Sequence, residues 1–156
     1  MEEIELAPDF KEFLNLLNTH HVKYLLVGGY AVALHGYPRA TNDIDIWVEK
    51  CQDNAEKLVR VFCQFGFSSS SIDASAFLDK NRILRVGLPP ICIDVLMSVS
   101  GLDFATCFAR HSKELLDGVS INLLSREDLE TNKNASGRLK DLSDIENLPP
   151  INSPDD

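Results

Sequence analysis

The spacing of apolar positions divides this chain into alternating helical and extended segments. Phe10, Phe13, Leu14, Leu16 and Leu17 supply the apolar positions of an amphipathic helix that starts at Pro8-Asp9 and runs to about Asn18. Residues 22–27 form a short apolar, β-branched and aromatic run that reads as a strand and ends at Gly28-Gly29, and residues 30–34 read as a short helix. A second strand covers residues 43–48, and residues 54–65 form an amphipathic helix through Ala55, Leu58, Val59, Phe62 and Phe65, closed by Gly66. Four consecutive serines from Ser68 mark a loop or irregular edge. Residues 82–86 and 91–97 are two strands of a hairpin around Gly87-Leu88-Pro89-Pro90. The remainder reads as a helix over 104–110, a strand over 119–123, and helices over 126–134 and 139–148, with a disordered tail at 149–156. The expected class is α+β: a mixed sheet with helices packed on it, in one domain spanning residues 1–148.

Chemistry is concentrated around the first strand-helix-strand unit. The glycines at 28 and 29 permit positive φ and close backbone approach, and free amides at a helix N-terminus can face a phosphate. The pair is neither the dinucleotide fingerprint nor the Walker lysine motif, and a tight strand-to-helix corner explains it equally well. The second strand begins Asp43-Ile44-Asp45-Ile46-Trp47-Val48. Side chains alternate faces along a strand, so Asp43 and Asp45 share one side, with Trp47 packing beside them. At ~6.5 Å apart and an effective dielectric of about 20, two such anions repel by roughly 2.5 kcal/mol. They need a cation, and oxygen ligands at this spacing suit Mg²⁺ or Mn²⁺. An exposed acidic strand edge is the alternative.

A third carboxylate interrupts a later apolar strand. Asp94 stands within Ile91-Cys92-Ile93-Asp94-Val95-Leu96-Met97, where burying it is costly unless it is paired, hydrogen-bonded or bound to a cation. It is assigned here to the same site as Asp43 and Asp45; a turn cap or a structural ion pair with Arg85 is the competing reading.

Taken together, Gly28-Gly29, Asp43-x-Asp45 and the lone Asp94 resemble the nucleotidyltransferase superfamily, the DNA polymerase β-like group, in its minimal single-domain form. The run from Leu26 to Gly36 with Arg39-Ala40-Thr41-Asn42-Asp43-Ile44-Asp45 is similar to bacterial minimal nucleotidyltransferases, including toxin components of abortive-infection systems. The segments 85–96 and 133–146 resemble later parts of the same group, so the likeness spans about residues 20–148. It implies a polymerase β-like core that moves a nucleoside monophosphate from a nucleoside triphosphate to a hydroxyl acceptor, with release of pyrophosphate. Carried over, Asp43, Asp45 and Asp94 would be catalytic and hold two Mg²⁺ ions, with Mn²⁺ an alternative and Asp94 the candidate base. Gly28 and Gly29 would support the triphosphate. RNA, protein and small molecules are all open as acceptors, and a protein partner or a second copy of the chain could complete the acceptor site. A non-catalytic nucleotide-binding or partner-regulating module of toxin–antitoxin type is the reading from a different class.

Other charges are weighed against that site. Arg39, four residues before Asp43, and Lys133 are candidate phosphate ligands, although both could be solvated surface charges. Pairing at i, i+4 along a helix accounts for Lys140 with Asp144. His35 reads as a helix cap, and His20 and His21 as turn residues. Cys51, Cys63, Cys92 and Cys107 are widely spaced in mostly apolar surroundings, as buried reduced thiols would be.

Net charge changes the picture only when it is localised. The chain of 156 residues carries −9 overall, yet residues 1–12 hold five acids and one lysine, and residues 141–156 hold five acids and no base. The segment between them has fourteen of each, so overall acidity does not exclude an RNA acceptor, although no basic stripe with interleaved aromatics marks one. An acidic start without a signal-like core, and no run long enough to span a bilayer, lead to the expectation of a cytoplasmic protein with no membrane contact.

Overall fold

The computed structural model of the protein describes residues 4–38 and 41–150. Within them the chain runs α1 (Pro8–Thr19), β1 (Tyr24–Val27), α2 (Gly28–Leu34), β2 (Asp43–Val48), α3 (Gln52–Phe65), a 3₁₀ turn at Ala74–Phe77, β3 (Ile83–Val86), β4 (Cys92–Leu96), α4 (Phe104–Phe108), β5 (Ser112–Leu116), β6 (Val119–Leu123), α5 (Arg126–Ser136) and α6 (Leu139–Asn147). The six strands form one mixed sheet in the order β3-β4-β2-β1-β6-β5. β2 runs parallel to β4 and β1 parallel to β6, while the β1–β2, β3–β4 and β5–β6 pairs are antiparallel. The α+β class expected from the apolar pattern is the one observed.

The core follows from the same pattern. Phe10, Phe13, Leu14 and Leu17 fall at i, i+3, i+4 and i+7 on α1 and all are buried. Phe13 meets Phe62 and Phe65 of α3 edge to face, with centroids 5.6 and 5.3 Å apart. β1 is buried at every position, as a central strand covered on both faces should be. Asn54, at the start of α3, holds the corner where β1 begins and β2 ends. Its Oδ1 accepts from the Lys23 amide at 2.9 Å, and its Nδ2 donates to the carbonyls of Lys23 at 3.1 Å and Glu49 at 2.9 Å.

One strand has no counterpart in the apolar pattern. The predicted helix over 104–110 stops at Phe108, and residues 112–116 become β5, an outer strand exposed at every position except Leu116. Its partner β6 follows through Asp117 and Gly118, both at positive φ (49° and 81°), the backbone that a two-residue hairpin turn of matching twist requires. The Asp-Gly dipeptide is the local signal for this hairpin; the apolar pattern carries none, because an edge strand this exposed has no buried face. No helix among the described residues is long and apolar enough to cross a membrane. The cysteines are free thiols, with Cys92 and Cys107 buried and Cys51 and Cys63 partly so.

Candidate active site

Strand register sets the centre of the site. Asp45 lies opposite Asp94 in the parallel β2–β4 pair, Asp94 opposite Arg85 in β3–β4, and Asp45 opposite Val27 in β1–β2. Arg85, Asp94, Asp45 and Val27 thus form one row across four strands. Direct cross-strand partners share a face, so two carboxylates, a guanidinium and the end of β1 meet on one side of the sheet. Asp43 stands two positions before Asp45 on that face, and its Oδ1 accepts from the Cys92 amide at 3.2 Å, tying the start of β2 to β4. Trp47, next in the alternation, is buried against Phe104 at 5.1 Å, edge to face.

At Gly28 the chain turns from β1 into α2 with φ +70°, and a Cβ there would overlap the carboxylate of Asp45. Glycine is required at this position for two reasons: the left-handed backbone and the close approach of a charged side chain. His35 caps α2 and its Nε2 lies 2.7 Å from the Leu124 carbonyl. β6 then leads into α5, where Ser125 Oγ accepts from the Asp128 amide at 3.1 Å. β1 and β6 run parallel and both deliver their helices at the carboxylate end of the sheet, which carries α5 and then α6 over the aspartates.

These elements enclose a cleft of about 630 Å³ that contains Gly28, Gly29, Asp43, Asp45, Asp94 and Lys133 among its lining residues. Residues named from four separate segments of the sequence therefore converge. Arg39 falls outside the described residues. Lys133 lines the cleft and is not the solvated surface charge of the alternative reading. Its side chain is 6% exposed, and its Nζ lies 3.3 Å from Asp141 and 3.1 Å from Asp144, two carboxylates that are themselves buried on α6. Arg138 adds a fork onto Asp141 at 2.7 and 3.2 Å. Burial pushes the Asp141 carboxyl up, but Arg138 and Lys133 outweigh it and hold that group below its ordinary value. Lys133 therefore ties α5 to α6 at the wall of the cleft.

Three cations of the cleft are not assigned to it by the sequence. Arg85 reads there only as a structural partner of Asp94, Lys140 only as a helix-surface charge, and Arg138 as neither; all three line the cleft. For Arg85 a signal is present. A hairpin turning at residues 87–91 pairs positions whose numbers have a constant sum, which sets Arg85 across from Asp94.

The anions are incompletely neutralised. Arg85 donates from Nε to Asp94 Oδ1 at 2.8 Å and from a terminal nitrogen to Asp94 Oδ2 at 3.0 Å, and the same guanidinium lies 3.6 Å from Asp43. Asp45 has no ion-pair partner among the described residues. Burial, then the charges of Asp94 and Asp43, push its carboxyl up to about 6, against smaller opposing pulls from Lys133 and Lys140. The donor set fits a hard divalent cation: three carboxylates, no sulfur or imidazole, and one half-buried anion short of positive charge. Among the described residues no three acidic, histidine or cysteine side chains are already posed to hold an ion.

Comparison with known proteins bears on the family and the fold. The family described as "Nucleotidyltransferase of unknown function (DUF6036)" matches residues 6–155. Among solved structures, a Thermotoga maritima protein described as a candidate nucleotidyltransferase is similar at TM-score 0.56 and 18% identity, over 91% of this chain and 93% of that one. The lincosamide antibiotic adenylyltransferase LnuA, solved with lincomycin bound, is similar at TM-score 0.55 and 15% identity, over 92% of this chain and 96% of the other. At these identities the two structures speak for the fold. No curated protein matches by sequence.

Proposed function

The chain belongs to this family of nucleotidyltransferases, and from that premise we propose that it carries out metal-dependent transfer of a nucleoside monophosphate from a nucleoside triphosphate to an acceptor hydroxyl. The observation that supports the reading most directly is the convergence of Asp43, Asp45 and Asp94 on one face of the sheet, with Asp45 half-buried and without an ion-pair partner among the described residues.

In this reaction the acceptor oxygen forms a bond to the α-phosphorus and the bond from that phosphorus to the bridging oxygen breaks, so pyrophosphate leaves. Asp94 takes the hydroxyl proton on a carboxylate oxygen. Asp43 and Asp45 would hold the ions together with Asp94. Bound Mg²⁺ or Mn²⁺, two ions in this reading, supplies positive charge for the α-phosphate and the leaving group and lowers the pKa of the acceptor hydroxyl. The Gly28-Gly29 turn lets backbone approach the triphosphate, and Lys140 and Arg138 offer positive charge along the same cleft. Lys133 acts on the wall rather than on phosphate, because its ammonium is held by Asp141 and Asp144.

The test is to incubate the protein with each nucleoside triphosphate labelled at the α-phosphate, with Mg²⁺, and with RNA, protein and small antibiotics offered separately as acceptors. Label should move to one acceptor class and disappear with chelator. Asp45→Asn and Asp94→Asn should each lower transfer by at least about 100-fold, the scale expected when charge stabilisation of the transition state is removed. Equal transfer by the variants would refute the site. Nucleotide binding without transfer to any acceptor would favour a binding module.

A further inference from the structure

The position of Arg85 carries a consequence for how the site is loaded. Its fork takes one hydrogen bond to each oxygen of Asp94, at 2.8 and 3.0 Å, and the Asp94 side chain is only 10% exposed. A divalent ion ligated by Asp94 needs at least one of those oxygens and would bring a second positive centre against the guanidinium. Each oxygen keeps a second lone pair, but the repulsion between two cations on one carboxylate makes the ion and Arg85 compete for Asp94. Asp43 and Asp45 are in a different situation. Asp45 has no ion-pair partner among the described residues, and Asp43 is reached by Arg85 only at 3.6 Å. An ion shared by those two need not break the fork.

Arg85 is held by Asp94 and, more loosely, by Asp43 at 3.6 Å, and has solvent to move into. It sits on β3, the outermost strand of the sheet on that side, and its side chain is 54% exposed, so on release the guanidinium returns to water rather than to a buried position. The other residues of β3, Ile83, Leu84 and Val86, are apolar and present no further anion to hold it in place.

Resting on the reading of these carboxylates as ion-holding, we propose that Arg85 is a built-in competitor for Asp94: it holds the third carboxylate while no ion is there, so that an ion binds first at Asp43 and Asp45, and the ion at Asp94 binds second and more weakly because Arg85 must swing out. The device makes assembly of the full carboxylate centre depend on divalent-ion concentration and nucleotide charge.

The test is a Mn²⁺ titration of the full chain without nucleotide, with free Mn²⁺ followed by electron paramagnetic resonance, for the parent protein, Arg85→Gln, Asp94→Asn, the double variant and Lys140→Gln. The parent should show a stronger and a weaker class of site. Arg85→Gln should tighten the weaker class by about ten- to a hundredfold, the factor that charge-assisted hydrogen bonds represent. Asp94→Asn should remove the weaker class, and Arg85→Gln should add nothing in that background. Lys140→Gln, which removes another positive charge from the cleft without touching Asp94, should tighten the weaker class by no more than about threefold, as expected for a more distant, screened charge. The proposal is overturned if Arg85→Gln leaves the weaker class unchanged or weakens it, or if Lys140→Gln tightens it as much. Absence of Mn²⁺ binding by every protein would overturn the ion-holding reading itself, an outcome distinct from the other two.

Discussion

Asp45 and Asp94 are direct partners across two parallel strands, in register within the sheet although forty-nine residues apart in the chain. Two carboxylates in this arrangement repel in the ligand-free protein, and part of that repulsion is visible as the raised Asp45 carboxyl. An anionic centre of this kind weakens the empty fold and strengthens its demand for a cation, which links stability to ligand binding.

Stability should report this directly. The Asp45 carboxyl titrates at about 6 in the folded protein against an ordinary value of 3.8. Below pH 3.8 it is neutral in both states. Between 3.8 and 6 the unfolded chain gives up the proton while the folded protein keeps it, so the favourable contribution of the protonated form is lost as pH rises through about 6. Asp45→Asn lacks this dependence. Urea unfolding should therefore find the variant more stable than the parent at pH 7, by up to about 3 kcal/mol for a shift of this size, with the advantage shrinking toward pH 4. A difference that stays flat across that range would clear Asp45 of the effect.

Gly28→Ala should damage both stability and activity. The backbone at φ +70° disfavours any Cβ, and here the Cβ also overlaps the Asp45 carboxylate. Gly118→Ala is the matched control, with φ +81° but open space around the position. Each should lose about 1–2 kcal/mol for backbone conformation. Gly28→Ala alone should lose more than this and lower nucleotide transfer by at least about tenfold, because displacement of a reacting group by about 1 Å can cost up to about 100-fold.

Lys133→Met should unfold the α5–α6 pair more than it harms nucleotide affinity. Removing the ammonium takes an ion-pair partner from two buried carboxylates, Asp141 and Asp144. A loss near 3 kcal/mol, the lower end for breaking a buried ion pair, is expected in chemical denaturation. Nucleotide affinity measured on the folded fraction should fall by less than about tenfold, whereas a direct phosphate contact from this lysine would cost more.

Asn54→Ala separates fold from site. The amide makes three hydrogen bonds at the corner of β1, β2 and α3, and the residue is 2% exposed. Its loss strands the Lys23 and Glu49 backbone groups and should cost about 2–4 kcal/mol. The corner lies at the end of β1 opposite Gly28, so transfer per folded molecule, measured well below the melting temperature, should stay within about twofold of the parent.

Several of these features are legible in the chain's local pattern. The apolar stripe of α1, the glycine that ends α3 and the alternation of Asp43, Asp45 and Trp47 all follow from period alone, because each is decided within a few residues. β5 is not legible from that period, since Ser112, Lys113, Glu114 and Leu115 are exposed and bury no face to generate one. The ion pairs of Lys133 are hidden from the sequence for a related reason. Its spacing on α5 says where it points along the helix, but the two aspartates that claim it come from α6.

By itself, then, the sequence determined every strand but β5, the shared face of Asp43 and Asp45, the cost of Asp94 in an apolar strand, and a likeness to nucleotidyltransferases that the family match bears out. Only the tertiary structure decided that β2 lies between β1 and β4, that Asp45 faces Asp94, and that Asp94 both joins the other two aspartates and pairs with Arg85. The reason is physical. Periodicity is set by backbone geometry over a few residues, whereas strand order and register are set by hydrogen bonds and packing between segments whose separation in the chain carries no local record.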